Sequence, residues 1–216
     1  MPPLTEQAHA IIRQAVQPGD IAIDATAGNG HDTKFLAELV GETGHVYAID
    51  LQQKALQRTA ALLAETTLAN IHLVQGDHAE LKSIIPGEHH GRIAAVMLNL
   101  GYLPGSNRSL ATLTDSTLKA IRSALEILRP GGVLTVIAYS GHPDGADESF
   151  AVESLMRDLS PVDYDTAKHL AASNSTSAPR LLVVKKKGNN ATDVGVIEEL
   201  VDRGGDPPVA ASHRED

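Results

Sequence analysis

Asp24-Ala-Thr-Ala-Gly-Asn-Gly-His-Asp-Thr33 decides how this 216-residue chain is read. The stretch follows a short apolar run, Ile21-Ala-Ile23, and opens into Lys34-Phe-Leu-Ala-Glu-Leu39, whose apolar residues recur at helical spacing. It is therefore a strand, a glycine turn and a helix start. Glycines let backbone N–H groups approach a ligand closely, and a helix N-terminus favours an anionic group. A nucleotide-like cofactor is the expected occupant, although a purely structural turn satisfies the same pattern. The motif is an acid, three residues, then Gly-x-Gly, with Asp24, Gly28 and Gly30. It departs from the Gly-x-Gly-x-x-Gly of dinucleotide folds, because Thr33 stands three residues after Gly30.

Elements on either side extend the pattern. Helices are predicted over Leu4–Val16, His31–Val40 and Gln52–Thr66, with a short one over His78–Ile85. A long helix is predicted over Ser109–Leu128, stopped by Pro130-Gly131-Gly132, and another from Gly145 to about Leu159. Strands are predicted over Asp20–Ala25, Gly44–Asp50, Asn70–Gly76, Arg92–Leu100 and Val133–Tyr139. Val162–Leu170 and Arg180–Lys187 are two further strands with only a loop between them, which reads as an antiparallel hairpin. Five β/α units closed by such a hairpin suit an α/β, Rossmann-like, seven-stranded and mostly parallel sheet with one reversed strand. That is the class I methyltransferase architecture. Residues 1–187 form the expected domain, and 188–216 an acidic, flexible tail.

Candidate site residues gather at predicted strand ends, where open α/β sheets bind ligands. Asp50 ends the second strand, twenty residues beyond Gly30, where an acid can accept from both hydroxyls of a ribose; capping the helix after Gln52 is the other reading, and both can hold. Asp77-His78 ends the third strand. Asp77 could accept from an adenine amino group, and His78 could pack on the ring or cap the next helix. Asn99-Leu-Gly-Tyr-Leu-Pro-Gly105 leaves the fourth strand toward the same crevice. The Asn99 carbonyl and the Gly101 backbone could hold an amine by its N–H groups, and Tyr102 could stack on a base. A tight turn needing its glycines is the alternative. Tyr139-Ser-Gly-His142 leaves the fifth strand, with His142 as a base, a phosphate contact or a satisfied loop residue, and Glu148 at a helix start. Arg108 is the candidate phosphate contact, and Thr112 belongs to a hydroxyl-rich group that could bind phosphate or cap a helix. Lys185-Lys186-Lys187 reads as a solvated strand end. No metal-ligand spacing is present, and the ten histidines are scattered.

Composition bounds the rest. Cysteine is absent, which excludes disulfides and thiolate metal sites. No apolar run suits a signal peptide or a bilayer span, so a soluble cytoplasmic protein is the expectation. The formal charge is −9, of which −5 falls from Asp193 onward, leaving −4 for residues 1–192. A polyanionic partner needs a local basic face, so this charge lowers the expectation of RNA binding without excluding it.

On the motifs at Asp24–Thr33, Asp50-Leu-Gln52, His78, Asn99–Gly105, Thr112–Ala120 and Tyr139–His142 with Gly145 and Glu148, the chain resembles the MnmM (YtqB-like) tRNA wobble-uridine methyltransferases, formerly labelled rRNA methylases. The resemblance covers residues 5–187. It implies S-adenosyl-L-methionine as cofactor and methylation of the amine of 5-aminomethyl-2-thiouridine at tRNA position 34, with the anticodon stem-loop as partner. Carried onto this sequence, the cofactor residues are Asp24, Thr26, Gly28, Asn29, Gly30, Asp32, Asp50, Gln52, Asp77 and His78. The catalytic ones are Asn99, Gly101, Tyr102 and His142, and the substrate contacts Leu103, Arg108, Thr112 and Tyr139. Another RNA such as rRNA, a small metabolite, or a non-catalytic cofactor-binding module are the alternatives. No metal and no membrane partner is expected; the oligomeric state is open, a homodimer included.

Overall fold

A computed structural model describes residues 2–64, 66, 68, 70–101, 112–139, 145–171 and 178–188. Tyr102, Leu103, Arg108, His142 and nearly all of the expected tail therefore lie outside the described residues.

The element order is α1 (Leu4–Ala15), β1 (Ile21–Asp24), α2 (His31–Val40), β2 (His45–Asp50), α3 (Gln53–Leu63), β3 (Ile71–Gln75), α4 (Leu81–Ile84), β4 (Ile93–Asn99), α5 (Thr114–Ile127), β5 (Leu128–Ala138), α6 (Gly145–Arg157), β6 (Tyr164–Leu170) and β7 (Arg180–Lys186). The seven strands form one sheet in the order β3-β2-β1-β4-β5-β7-β6. Strands β1 to β5 pair in parallel, while β7 runs antiparallel to both β5 and β6. This is the expected class I methyltransferase sheet with its reversed strand and terminal hairpin.

Alternation along the strands makes the sheet two-sided. Ile21 and Ile23 face a core shared with Leu81, Ile121, Leu125 and Val152, from α4, α5 and α6. Ala22 faces the opposite core, built on Leu4, Ala8 and Ile12 of α1 and on Phe35, Leu36 and Val40 of α2. Burying each such large aliphatic side chain contributes about 1.5–3 kcal/mol. Because the strand order reverses between β1 and β4, the loops after those strands diverge and leave a crevice at their carboxyl ends. Among the described residues no helix is long and apolar enough to cross a membrane.

Three details differ from the sequence reading. Helix α5 begins at Thr114 rather than Ser109, since Leu113 is extended (φ −112°, ψ 140°) and Thr112 is engaged at a loop base. The same helix ends before Leu128, which already pairs with Ile93; Pro130-Gly131-Gly132 lies inside β5 as an irregularity where the register shifts. A residue preceding proline disfavours helix, so Arg129 is extended too. The histidines are not all scattered. His45, His72 and His89 gather around Tyr47 near the start of β2, with His45 Nδ1 and His72 Nε2 3.2 Å apart and the Tyr47 hydroxyl 2.9 Å from His89 Nδ1.

Gly30 shows how tightly the first turn is packed. Its φ is +84°, and a Cβ added there would stand 2.8 Å from the Thr59 Cα on α3. Replacing Gly30 by alanine is expected to lower the unfolding free energy by about 1–3 kcal/mol, through strain and displaced backbone. A urea melt of Gly30→Ala against the parent chain checks this.

Candidate active site

The turn after β1 is stitched to both neighbouring strands. Ala25 N–H donates to the Met97 carbonyl of β4 (2.9 Å), and Ala27 N–H to the Ile49 carbonyl of β2 (2.9 Å). Gly28 and Gly30 then take left-handed φ values of 56° and 84°. Asp24 is fully buried beneath this turn. Its carboxylate accepts from the Thr33 hydroxyl (2.6 Å) and from Thr26 N–H (3.2 Å). Asp24 has no exposed surface, and through these two bonds its side chain shapes the turn from below. Burial, and then the nearby Asp32 carboxylate, push its pKa up to about 7 against the two hydrogen bonds that lower it.

Asp50 closes the turn from β2. One oxygen accepts from Gly28 N–H (2.9 Å) and the other from Gln52 N–H (2.8 Å), so it fastens the glycine turn and caps the start of α3 together. Each oxygen keeps a further lone pair for a ribose hydroxyl. Asn29 is held through its side-chain carbonyl by Arg58 (3.1 Å). At the end of β3, Asp77 accepts from Ala79 N–H (2.9 Å) and so caps the following 3₁₀ turn, His78–Glu80. His78 turns inward, and its buried Nε2 has no partner among the described residues. Burial lowers its pKa, opposed by the Asp77, Glu148 and Asp50 carboxylates.

Asp32, in the first turn of α2, reaches across the crevice and is only 8% exposed. One oxygen receives the Asn99 side-chain amide from the end of β4; the other lies 2.6 Å from His9 Nε2 on α1. Asn99 N–H meanwhile donates to the Thr26 hydroxyl (2.7 Å), binding the end of β4 to the glycine turn. Tyr139, at the end of β5 and 42% exposed, has its phenol pKa raised by burial and then by the Asp32 charge, so it remains a hydroxyl donor at neutral pH.

Beyond Asn99, the chain passes Gly101 and returns at Thr112. Gly101 N–H donates to the Thr112 hydroxyl oxygen (2.9 Å), and Thr112 N–H donates back to the Gly101 carbonyl (2.9 Å). The Thr112 hydroxyl then donates to Glu148 (2.8 Å), whose other oxygen accepts from Thr117 (2.6 Å). Thr112 and Glu148 thus form a clasp that ties Gly101 to α5 and α6, with Glu148 standing in the first turn of α6 as its sequence position suggests. Lys186 donates to the Leu125 and Leu128 carbonyls (2.8 and 2.9 Å), fixing the end of α5.

Sequence reasoning missed His9. It sits between Ala8 and Ala10 in an amphipathic helix, with nothing in its spacing to connect it to Asp32. Its only sequence signal is a histidine beside the buried Ala8–Ile12 stripe.

Residues 46–185 match the family model described as "Putative rRNA methylase". The chain is 38% identical over 194 residues to the tRNA (mnm(5)s(2)U34)-methyltransferase, chloroplastic, of Arabidopsis thaliana, covering 86% of this chain and 70% of that one. The crystal structure of an rRNA-methylase of Clostridium thermocellum superposes with a TM-score of 0.81 at 33% identity, covering 86% of this chain and 98% of the other. A methyltransferase of Streptococcus mutans, solved in complex with SAH, gives a TM-score of 0.77 at 32% identity over 86% and 99% of the two chains.

The crevice suits S-adenosyl-L-methionine on its own chemistry. Asp32 and Asp50 lie close enough to Asp24 for their charges to raise its pKa, and such a negative field complements a cofactor bearing a sulfonium and an ammonium. The left-handed glycines leave the turn's backbone open to it.

The raised pKa of Asp24 carries a sign. The folded chain holds the Asp24 proton that the unfolded chain releases above the ordinary value of 3.8, so this group's contribution to stability is full below that value and is lost as pH rises toward about 7. Asp24→Asn is expected to gain stability relative to the parent chain between pH 5 and pH 8. Urea melts at intervals across that range check it, and parallel pH profiles for the two proteins would contradict it.

Proposed function

The chain belongs to the rRNA methylase family of S-adenosyl-L-methionine-dependent methyltransferases, and we propose that its substrate is the amine of 5-aminomethyl-2-thiouridine at wobble position 34 of tRNA. One observation carries the reading: the Asn99 amide is held in a single orientation by Asp32, beside the glycine turn. With Nδ2 donating to the carboxylate, the Asn99 carbonyl is left to accept an N–H from a ligand in the crevice. The Arabidopsis relative is a tRNA (mnm(5)s(2)U34)-methyltransferase, and the amine of that wobble nucleoside is an acceptor that fits.

The cofactor, when bound, supplies a methyl group activated on a sulfonium. The protein's part is to hold the acceptor. A simple alkyl amine has a pKa of roughly 10, as lysine does, so the site must select its neutral form or take a proton from it. An Asn99 carbonyl accepting one N–H aims the nitrogen lone pair away from itself, toward the cofactor side. In this reading Gly28 and Gly30 lie against the methionine end, and Asp50 against the ribose. Asp77 and His78 flank the adenine, and Gly101 and Thr112, bonded to each other, lie on the side of the wobble base. The anticodon stem-loop is the proposed macromolecular partner, with Tyr139 beside the entering nucleoside. Acceleration then comes mainly from positioning, which is worth several powers of ten when the geometry is right.

Nucleoside mass spectrometry, on tRNA and rRNA each incubated with the protein and cofactor, tests the assignment. Conversion of 5-aminomethyl-2-thiouridine to its N-methyl product in tRNA is expected. An unchanged tRNA, or a methylated rRNA alone, would reject it. Asp50→Ala is expected to weaken cofactor binding about tenfold or more, through loss of charge-assisted bonds. Asn99→Ala is expected to slow single-turnover transfer by about 10²-fold with cofactor affinity little changed. Calorimetry and rapid quench separate the two, and equal loss of binding in both variants would undo this division of roles.

A further inference from the structure

We propose that His9 is a positioning residue for methyl transfer, acting through Asp32 to fix the orientation of the Asn99 amide. The proposal rests on the role given above to Asn99. Helix α1 contributes nothing else to the crevice that the geometry above describes, yet it delivers one imidazole nitrogen 2.6 Å from Asp32 Oδ1.

The ring is not placed by that bond alone. It stacks on Phe35, with centroids 3.7 Å apart and planes 5° from parallel, and Phe35 lies one turn after Asp32 on α2. Arg13, one turn along α1, also sits over the Phe35 ring at 4.7 Å. The imidazole is thus held by packing and pointed by a hydrogen bond. A carboxylate has no proton to give, so His9 Nε2 is the donor, and the tautomer or charge state is one that carries hydrogen there. Asp32 then has both oxygens satisfied by side-chain donors, His9 on one and Asn99 on the other.

The consequence falls on Asn99. The terminal torsions of Asp and Asn are soft, and an Asn amide turned by half a revolution presents N–H groups where its carbonyl had been. Such a reversed amide would set Asn99 Oδ1 against the carboxylate and offer a donor to the acceptor amine, where an acceptor is needed. Asp32 forbids that reversal only while its own carboxylate plane is fixed. His9 fixes it from the other side. Without the His9 N–H, the nearly buried Asp32 oxygen loses its partner, and the carboxylate is free to rotate toward whatever donor remains.

Two substitutions separate the bond from the packing. His9→Phe keeps an aromatic ring to stack on Phe35 and removes the donor. His9→Gln keeps an N–H donor and gives up the ring. In single-turnover transfer to tRNA carrying 5-aminomethyl-2-thiouridine, His9→Phe is expected to be slowed about 10- to 100-fold. Its cofactor affinity by calorimetry should stay within about twofold of the parent, and His9→Gln should recover most of the rate. The double variant His9→Phe with Asn99→Ala should be no slower than Asn99→Ala alone, because both changes remove the same orientation. A readout on the protein itself needs no substrate: the Asn99 side-chain amide resonances should move in His9→Phe and return toward the parent position in His9→Gln. A parent-like rate in His9→Phe, additive losses in the double variant, or Asn99 amide signals indifferent to His9 would overturn the proposal. If the parent chain transfers no methyl group to tRNA, the substrate reading fails, and the amide resonances still decide the role of His9. Full-rate transfer by Asn99→Ala would overturn the proposal together with the role of Asn99.

Discussion

A carboxylate shut almost completely from water must be met by donors, and Asp32 is that carboxylate here. Its donors come from two different elements, His9 on α1 and Asn99 at the end of β4, while its own backbone begins α2. Satisfying one buried group therefore draws three elements onto the crevice at the switch between β1 and β4. The same few atoms join the two halves of the site. Asn99 holds Thr26 of the glycine turn through its backbone and Asp32 through its side chain, so the end of β4, the glycine turn and the start of α2 meet at one residue.

Charge gives this arrangement its chemical direction. Three carboxylates share the neighbourhood of the turn, and Asp24 is pushed toward neutrality because burial and its neighbours disfavour its charge. Farther out, Glu148 performs a separate task. It takes the hydroxyls of Thr112 and Thr117 and so ties Thr112, and Gly101 bonded to it, to α5 and α6. Removing either hydroxyl would leave a buried carboxylate oxygen short of a donor, a loss worth about 1–3 kcal/mol or more. The turn and the loop base are thus anchored independently.

Much of this was legible in the sequence because it is local. The glycine turn and the acid closing β2 are each written within a few adjacent residues, and with the antiparallel pairing of β6 and β7 they specify the sheet. The fastening of Gln52 by Asp50 follows from the same short range, whereas the turn after β3 is capped by Asp77, next to the candidate cap His78. What escaped is non-local. His9 and Asp32 are 23 residues apart, and Thr112 and Glu148 are 36 apart, joined only because the sheet folds their elements together. Whether a motif acid at a strand end faces the crevice or the core likewise depends on packing, and Asp24 is wholly buried. The early start assigned to α5 failed because hydroxyl-rich residues suit a helix cap as readily as the loop clasp that Thr112 forms.

The proposed methyl transfer depends on Asn99 offering its carbonyl to the acceptor while its amide nitrogen stays on Asp32. A crystal structure of the protein with SAH and an anticodon stem-loop carrying 5-aminomethyl-2-thiouridine measures this most directly. The aminomethyl nitrogen should lie within about 3.2 Å of Asn99 Oδ1, with Asp32 still bridging Asn99 and His9. A wobble base bound with its amine away from Asn99, or an Asn99 side chain withdrawn from Asp32 in the complex, would contradict the account.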